Sequence, residues 1–364
     1  MPVRNFEPIN PATDVTTTRT FLHEVVPITG SIISGTYGAY ESERNIKNYT
    51  HGMFQSVYDY PFLSSSANHI FDLTLGYAGD SALSSSSNVQ NAKKINMYNQ
   101  FAQTLLGFSG SANKIRTFEN DLLLDLTGSM KECIFINFSR LLTKDEIKKN
   151  TFSITLGTSS FPGAFTPGAD PALNPGTLVL QDAKARVNGD NVASSDGGDF
   201  AELFSNSAGT GNSLGVVFYQ AGIAVITASA FDAGVGGKIP QFSKHPTHGF
   251  QSVQQTLTGS SISGAMNAFR HRIQNISFNN TTEINSTVYF CRAPANKFNY
   301  SANPTYVSGS KIRVKNIGAD NPVAYVTTVG LYNSANELLA VAKLSEPLKK
   351  SIDNELTIRV RLDY

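Results

Sequence analysis

The 364-residue sequence contains no Trp, only two Cys and few charges, with Asp, Glu, Lys and Arg together supplying 16% of positions. Its 29 basic and 28 acidic residues leave a formal net charge of +1. Such a balance gives no field to draw in a polyanion, and no dense Lys/Arg run is present, so neither nucleic acid nor an anionic membrane is an expected partner. Nowhere do about 18 apolar residues follow one another, and Met1-Pro2-Val3-Arg4-Asn5 lacks the apolar core of a signal peptide. Neither a membrane span nor secretion is therefore expected. Cys133 and Cys291 lie far apart in apolar runs without C-x-x-C spacing, which predicts two reduced, buried thiols in a protein made in a cytoplasm.

What is present is a globular composition. Hydrophobic residues make up 40% and aromatics 10%, which separates the chain from disordered sequences. Ser, Thr, Asn and Gly fill about 128 positions, roughly 35% of the chain, so neutral polar groups cover much of its surface. The length suits two or three domains.

The pattern predicts a mainly β protein with minor α, built of antiparallel strands and hairpins in sandwich-like domains. Residues 1–50 read as an extended N-terminal arm. An α+β domain is expected over 51–156, with one clear helix from Lys94 to Phe108, where Ile95, Met97, Tyr98, Phe101, Ala102, Leu105 and Leu106 recur at spacings of three and four. Gly107 is its stop signal. Leu122-Leu123-Leu124 and Cys133 to Phe138 read as strands, and Thr143-Lys144-Asp145-Glu146 as the start of a short helix reaching Lys149. Thr151 to Leu156 alternates at period two, as a strand does.

Pro162, Gly163, Pro167, Gly168 and Pro171, in quick succession within 157–176, mark a boundary. Beyond it, 157–310 is expected to form a loop-rich, mainly β domain, a candidate insertion, with Asn188 to Gly215 as a second long loop. Within it Val216–Tyr219 and Ile223–Thr227 flank Gln220-Ala221-Gly222 as a hairpin. Residues 311–364 form a C-terminal β region and a candidate to pair with strands of 119–156. They contain a hairpin turning at Asn333-Ser334-Ala335-Asn336 and a final strand with Leu356, Ile358, Val360 and Leu362 on one face and Thr357, Arg359 and Arg361 on the other.

None of H-E-x-x-H, G-x-S-x-G, G-x-x-x-x-G-K-[ST] or a helix-opening G-x-G-x-x-G occurs, so no catalytic residue, cofactor or metal ligand is assigned. His245, His248 and His271 could supply three imidazoles to a metal, but Pro246 breaks an i, i+3 helical face and no Cys or carboxylate stands near in sequence, so they read as loop histidines. Asp190, Asp196 and Asp199 match no Ca²⁺ loop, and Asp121 with Asp125 is a bare carboxylate pair. Arg270-His271-Arg272 reads as a local salt bridge or an interface contact. One repetition stands out: Thr50-His51-Gly52-Met53-Phe54-Gln55-Ser56-Val57 recurs as Thr247-His248-Gly249-Phe250-Gln251-Ser252-Val253, less the Met. This pair suggests equivalent contacts, which makes His51, Phe54, Gln55, His248, Phe250 and Gln251 candidate interface residues, together with the outward Arg359 and Arg361.

Gly215 to Thr227, Leu331-Tyr332-Asn333, Glu337 to Lys350 and the closing Leu356 to Tyr364 resemble segments of structural proteins from large contractile-tailed, T4-like bacteriophages of marine bacteria and cyanobacteria. Met53 to Pro61 and Leu141 to Lys149 are similar to the same group. The resemblance implies a non-enzymatic virion component of the baseplate, its wedges or the tail, made in the bacterial cytoplasm and assembling with copies of itself and other tail proteins. A capsid or neck component is the alternative within that class. From another class the alternative is a glycan-binding or glycan-cleaving tail protein, against which the lack of Trp for stacking on sugars counts.

Overall fold

The computed structural model describes residues 6–29, 44–109, 114–125, 127–157, 177–185, 191–231, 243–245, 249–270, 272–301, 303–309, 311–314, 317 and 319–364. The chain forms two compact units, one of Leu22–Thr282 and one of Met1–Phe21 with Glu283–Tyr364. The main strands are β1 (Val15–Thr29), β2 (Ile46–Asn48), β3 (Gln55–Tyr58), β4 (His69–Tyr77), β5 (Glu132–Phe138), β6 (Ser153–Gly157), β7 (Thr177–Gln181), β8 (Gly198–Phe204), β9 (Ser213–Phe218), β10 (Ile223–Thr227), β11 (Ile273–Ala293), β12 (Val323–Tyr332), β13 (Leu338–Ser351) and β14 (Leu356–Asp363). Among the described residues three helices longer than a single turn accompany them, α1 (Asn91–Leu105), α2 (Val253–Gly259) and α3 (Ile262–Arg270). The protein is thus mainly β with minor α.

In the larger unit the strands pair antiparallel in the order β11-β6-β7-β8-β9-β10-β5-β4-β3-β2. Its centre is buried on both faces. In β5, Cys133 and Phe135 point one way and Ile134, Ile136 and Phe138 the other, and all five are buried. The first face is covered by α1, whose Phe101 ring stacks on Phe135 at 4.3 Å between centroids. The Tyr98 hydroxyl on the same helix donates to Met130 O at 2.9 Å and accepts from the Phe118 N–H at 3.0 Å.

The second face belongs to a larger core that takes in α2 and α3 through Val253, Leu257, Ile262, Met266 and Phe269. There the sheet curls, bringing Phe152 and Phe278 against Phe138 at 5.9 and 5.1 Å. Strands far apart in the pairing order of one sheet therefore share this core.

Charged groups trapped in this unit tie off backbone ends. Lys94 is fully buried and donates to Leu257 O and Ser260 O, carbonyls at the C-terminal end of α2, and burial pulls its pKa down to about 8. Asp182 is equally buried and accepts from the N–H groups of Asn150 and Phe152 and from the Tyr219 hydroxyl, at 2.7, 3.0 and 2.9 Å. Desolvation outweighs these three donors and pushes its pKa up to about 6.

The expected helix forms, shifted three residues towards the N-terminus, and Gly107 stops it at φ +72 with its N–H bonded to Ala102 O and Gln103 O. The hairpins at 216–227 and 323–351 and the alternating burial of β14 also follow the pattern.

Other expectations are corrected. Thr143 to Lys149 is no helix: the helical turn is Arg140–Thr143, Lys144 ends it at φ +54, and Glu146–Ile147 pairs with Asn280 and Thr281 because Ile147 is needed in the core. A capping box does exist, at Ser252 and Gln255 of α2. Leu122-Leu123-Leu124 is not a strand, since Leu124 takes φ +54 and Leu123 is exposed. Asn188 to Gly215 is not one loop, because Ala193–Ser195, β8 and the start of β9 lie in it.

The division of the chain differs as well. The glycines and prolines of 158–176 lie outside the described residues, but β6 and β7 on either side pair directly, from Thr177 opposite Gly157 to Gln181 opposite Ser153. A connection between paired strands is not a domain boundary, so 51–156 and most of 157–310 belong to one unit. Nor is 1–50 wholly an arm, because β2 pairs with β3. In the smaller unit β14 pairs with β11, not with strands of 119–156, and among the described residues β12 pairs with β13 alone. Cys133 is buried as expected, whereas Cys291 is half-buried.

Two predictions follow the packing. A Cβ at Gly76 would stand 2.5 Å from Lys94 O and 2.6 Å from Tyr98 N, both backbone atoms of α1. Gly76→Ala should cost about 2–3 kcal/mol of unfolding free energy in urea titration, because the helix must lift off the sheet. Asp182 holds its proton more tightly folded than unfolded, so its contribution to stability is complete below about pH 3.8 and is lost as pH rises through about 6. Across that window the protein should lose about 3 kcal/mol relative to Asp182→Asn, read from melting curves at pH 4 and pH 7.

Candidate assembly surface

The smaller unit carries a ribbon that no other described strand completes. In β12 and β13 the register sets Val329 opposite Ala342 and Leu331 opposite Ala340 on one face and, beyond an irregularity between Val326 and Thr328, Ala324 opposite Lys350. Ala324, Leu331 and Lys350 are buried there, and the Lys350 ammonium donates to Ala295 O, Asn299 Oδ1 and Ser351 O. The other face holds Gly330 opposite Val341 and Tyr332 opposite Leu338.

At the turn end of that face the apolar side chains lie open: Leu339 is 68% exposed, Val341 53% and Leu338 51%. Leu339 sits in a bulge between the Leu331 and Tyr332 pairings. The Phe6 ring meets Tyr332 edge-on at 5.0 Å and is itself exposed, which widens the patch. Water does not stabilise such a surface, and contiguous exposed apolar groups of this kind mark contact sites. Strand β1 adds Phe21, 48% exposed, to the apolar surface of the same unit.

The outward arginines of β14 lie where the alternation put them. Arg361 pairs with Asp363 at 2.7 Å and donates to the Ser286 hydroxyl, while Arg359 is exposed.

The repeated motif behaves differently in its two copies. His51 is exposed, its ring stacked on Tyr49 at 5.0 Å and close to Phe54 at 4.9 Å, with Nδ1 accepting from the Met53 N–H. Phe54 is half-buried. Gln55 is fully buried: its amide donates to Asn48 and Asn267, and its carbonyl accepts from Arg270 Nε. It is a core group of the folded chain and not an interface residue.

In the second copy His248 lies outside the described residues. Phe250 and Gln251 are in a short strand, Gly249–Gln251, paired with Ser243–His245. Ser252 then caps α2, whereas Ser56 of the first copy lies in β3 and donates to Asp72 at 2.5 Å. The segments are not equivalent, since the same Gln-Ser-Val continues a strand in one place and opens a helix in the other.

Arg270 and Arg272 are buried and not on an interface, Arg270 bonding to Gln55 and Asn267 and Arg272 to Gly157 O. His271 is outside the described residues. Sequence reasoning missed these buried cations and Lys94, because acceptors such as Gln55, Gly157 O and Leu257 O are remote in sequence. Asp199 forms an ion pair with Lys149 at 2.5 Å, and Asp190 is outside the described residues. Asp121 and Asp125 do come together, and Glu119, not anticipated, joins them with carboxylate oxygens within 4.8 Å. The Thr127 hydroxyl and N–H hold Asp125 below its ordinary pKa. Oxygen groups so placed suit a hard cation chemically.

Among the described residues no helix is long and apolar enough to cross a membrane. No protein-family model, curated protein or solved structure matches the chain.

Replacing both Leu339 and Val341 by Ser should leave the melting temperature within about 2 °C of the parent, because exposed positions carry little stability. Fluorescence of a dye that binds apolar surface should fall, which titration of parent and variant at equal concentration would measure.

Proposed function

We propose that this chain is a non-enzymatic structural protein of a tailed bacteriophage virion, a baseplate-wedge or tail component that assembles through protein–protein contacts. The observation that carries this reading is the open apolar face of the β12–β13 ribbon. A two-stranded ribbon on its own is marginal in water, and one that leaves Leu338, Leu339 and Val341 uncovered is suited to burial against a neighbour. The resemblance of Glu337 to Lys350 to tail proteins falls on this same ribbon.

Low overall charge supports the reading too, because large contacts between subunits deplete charge at their centres. Copies of the chain and other tail proteins are the partners.

The test is to purify particles from lysates of a phage that encodes the chain and to quantify the protein by mass spectrometry. It should co-purify at a fixed ratio to the tail-tube protein and occupy density in an electron-microscopy map of the tail. Abundant protein in the lysate but none in the particles would overturn the reading.

A further inference from the structure

In the smaller unit the sheet β1-β11-β14 presents a groove of about 150 Å³ lined by Thr16 and Thr18 of β1, Val288 and Phe290 of β11, and Arg359 and Arg361 of β14. The register fixes its shape. Val288 stands opposite Arg361 and Phe290 opposite Arg359, so an apolar floor runs between a wall of guanidinium groups and a wall of hydroxyls.

The charges along the groove are unevenly matched. At one end Arg292 pairs with Asp14 at 2.6 Å, and at the other Arg361 pairs with Asp363 at 2.7 Å, which also accepts from the Ser286 hydroxyl. Arg359 lies between these pairs and meets no carboxylate among the described residues. Three arginines on this face against two carboxylates leave one positive charge unanswered, and it stands beside Phe290.

We infer that this groove binds an extended segment of a different protein chain, with a carboxylate on Arg359 and apolar side chains on Val288 and Phe290. This rests on the assembly reading and gives that partner its chemistry. A strand sends alternate side chains to one face, so an acidic residue with apolar residues two positions before and after it matches the floor and the cation together. A guanidinium receives a carboxylate in a two-pronged bond that a single ammonium cannot form. A polyanion fits poorly, because a single unmatched charge provides no extended field.

The probe is acetyl-Val-Thr-Glu-Thr-Val-amide, titrated onto the full chain with saturation-transfer NMR at low salt, beside the same peptide with Gln for Glu. The acidic peptide should bind at least about fivefold more tightly than the Gln peptide, and added salt should erase the difference. Arg359→Gln should abolish the preference with an unchanged melting temperature, while Arg359→Lys keeps only part of it.

Equal binding of the two peptides, or an unchanged preference in Arg359→Gln, would overturn the assignment. So would sedimentation showing that copies of the chain associate through Arg359, since the occupant would then be a second copy. Failure of the peptide test in a protein that still enters particles removes only the groove. Absence from particles removes the assembly reading and leaves the peptide result standing.

Discussion

Burial of the central strands on both faces is the constraint on which the larger unit depends. Ile134, Ile136 and Phe138 face one core and Cys133 and Phe135 the other, so each side of the sheet needs a cover. On one side that cover is α1, which approaches so closely that position 76 has no room for a Cβ against the backbone of Lys94 and Tyr98. On the other it is α2, α3 and the curled strands of the sheet itself. Once both faces are closed, water cannot reach the ends of the covering elements, and buried polar side chains must take its place. Lys94 answers the last carbonyls of α2, Asp182 the N–H groups at the start of β6, and Arg270 the amides of Gln55 and Asn267.

The smaller unit has the opposite character. Its ribbon buries one face and leaves the other open at the turn end, with Leu338, Leu339 and Val341 in water. The ribbon's edge nevertheless carries features that resist indiscriminate strand pairing: Pro347 lacks an N–H, and Lys343 and Glu346 are exposed on the same strand. Contact through the apolar face is therefore favoured over addition of strands at the edge. Such an arrangement suits the proposed subunit, which must stay dispersed after synthesis and bury this face only against the right neighbour.

Much of the strand pattern could be read directly. Period-two alternation in β14, the turn at Asn333 to Asn336 and the three-and-four spacing in α1 are local signals, and each element appears close to where its residues place it. Partners were not legible. Thr143 to Glu146 satisfies the rule for a helix start, yet Ile147 goes into the core as part of a strand, because one buried apolar side chain outweighs a weak cap. The run of glycines and prolines after residue 157 has the composition of a boundary, although the strands on either side of it are neighbours. Of the candidate interface residues, Gln55 turned out to be core, which nothing in its neighbours Phe54 and Ser56 foretold.

By itself the sequence determined the class of the fold, the positions of its main hairpins, the outward arginines of β14 and the low charge that directs attention to protein partners. These depend on composition and on periodicities of a few residues. Only the tertiary structure decided that the two copies of Thr-His-Gly-Phe-Gln-Ser-Val serve different ends, that Arg270 and Arg272 are interior groups, and that Arg359 stands opposite Phe290 without a carboxylate partner among the described residues. The reason is physical: whether a polar side chain is buried, paired or open depends on strands and helices far away in the chain, and local pattern carries no record of them.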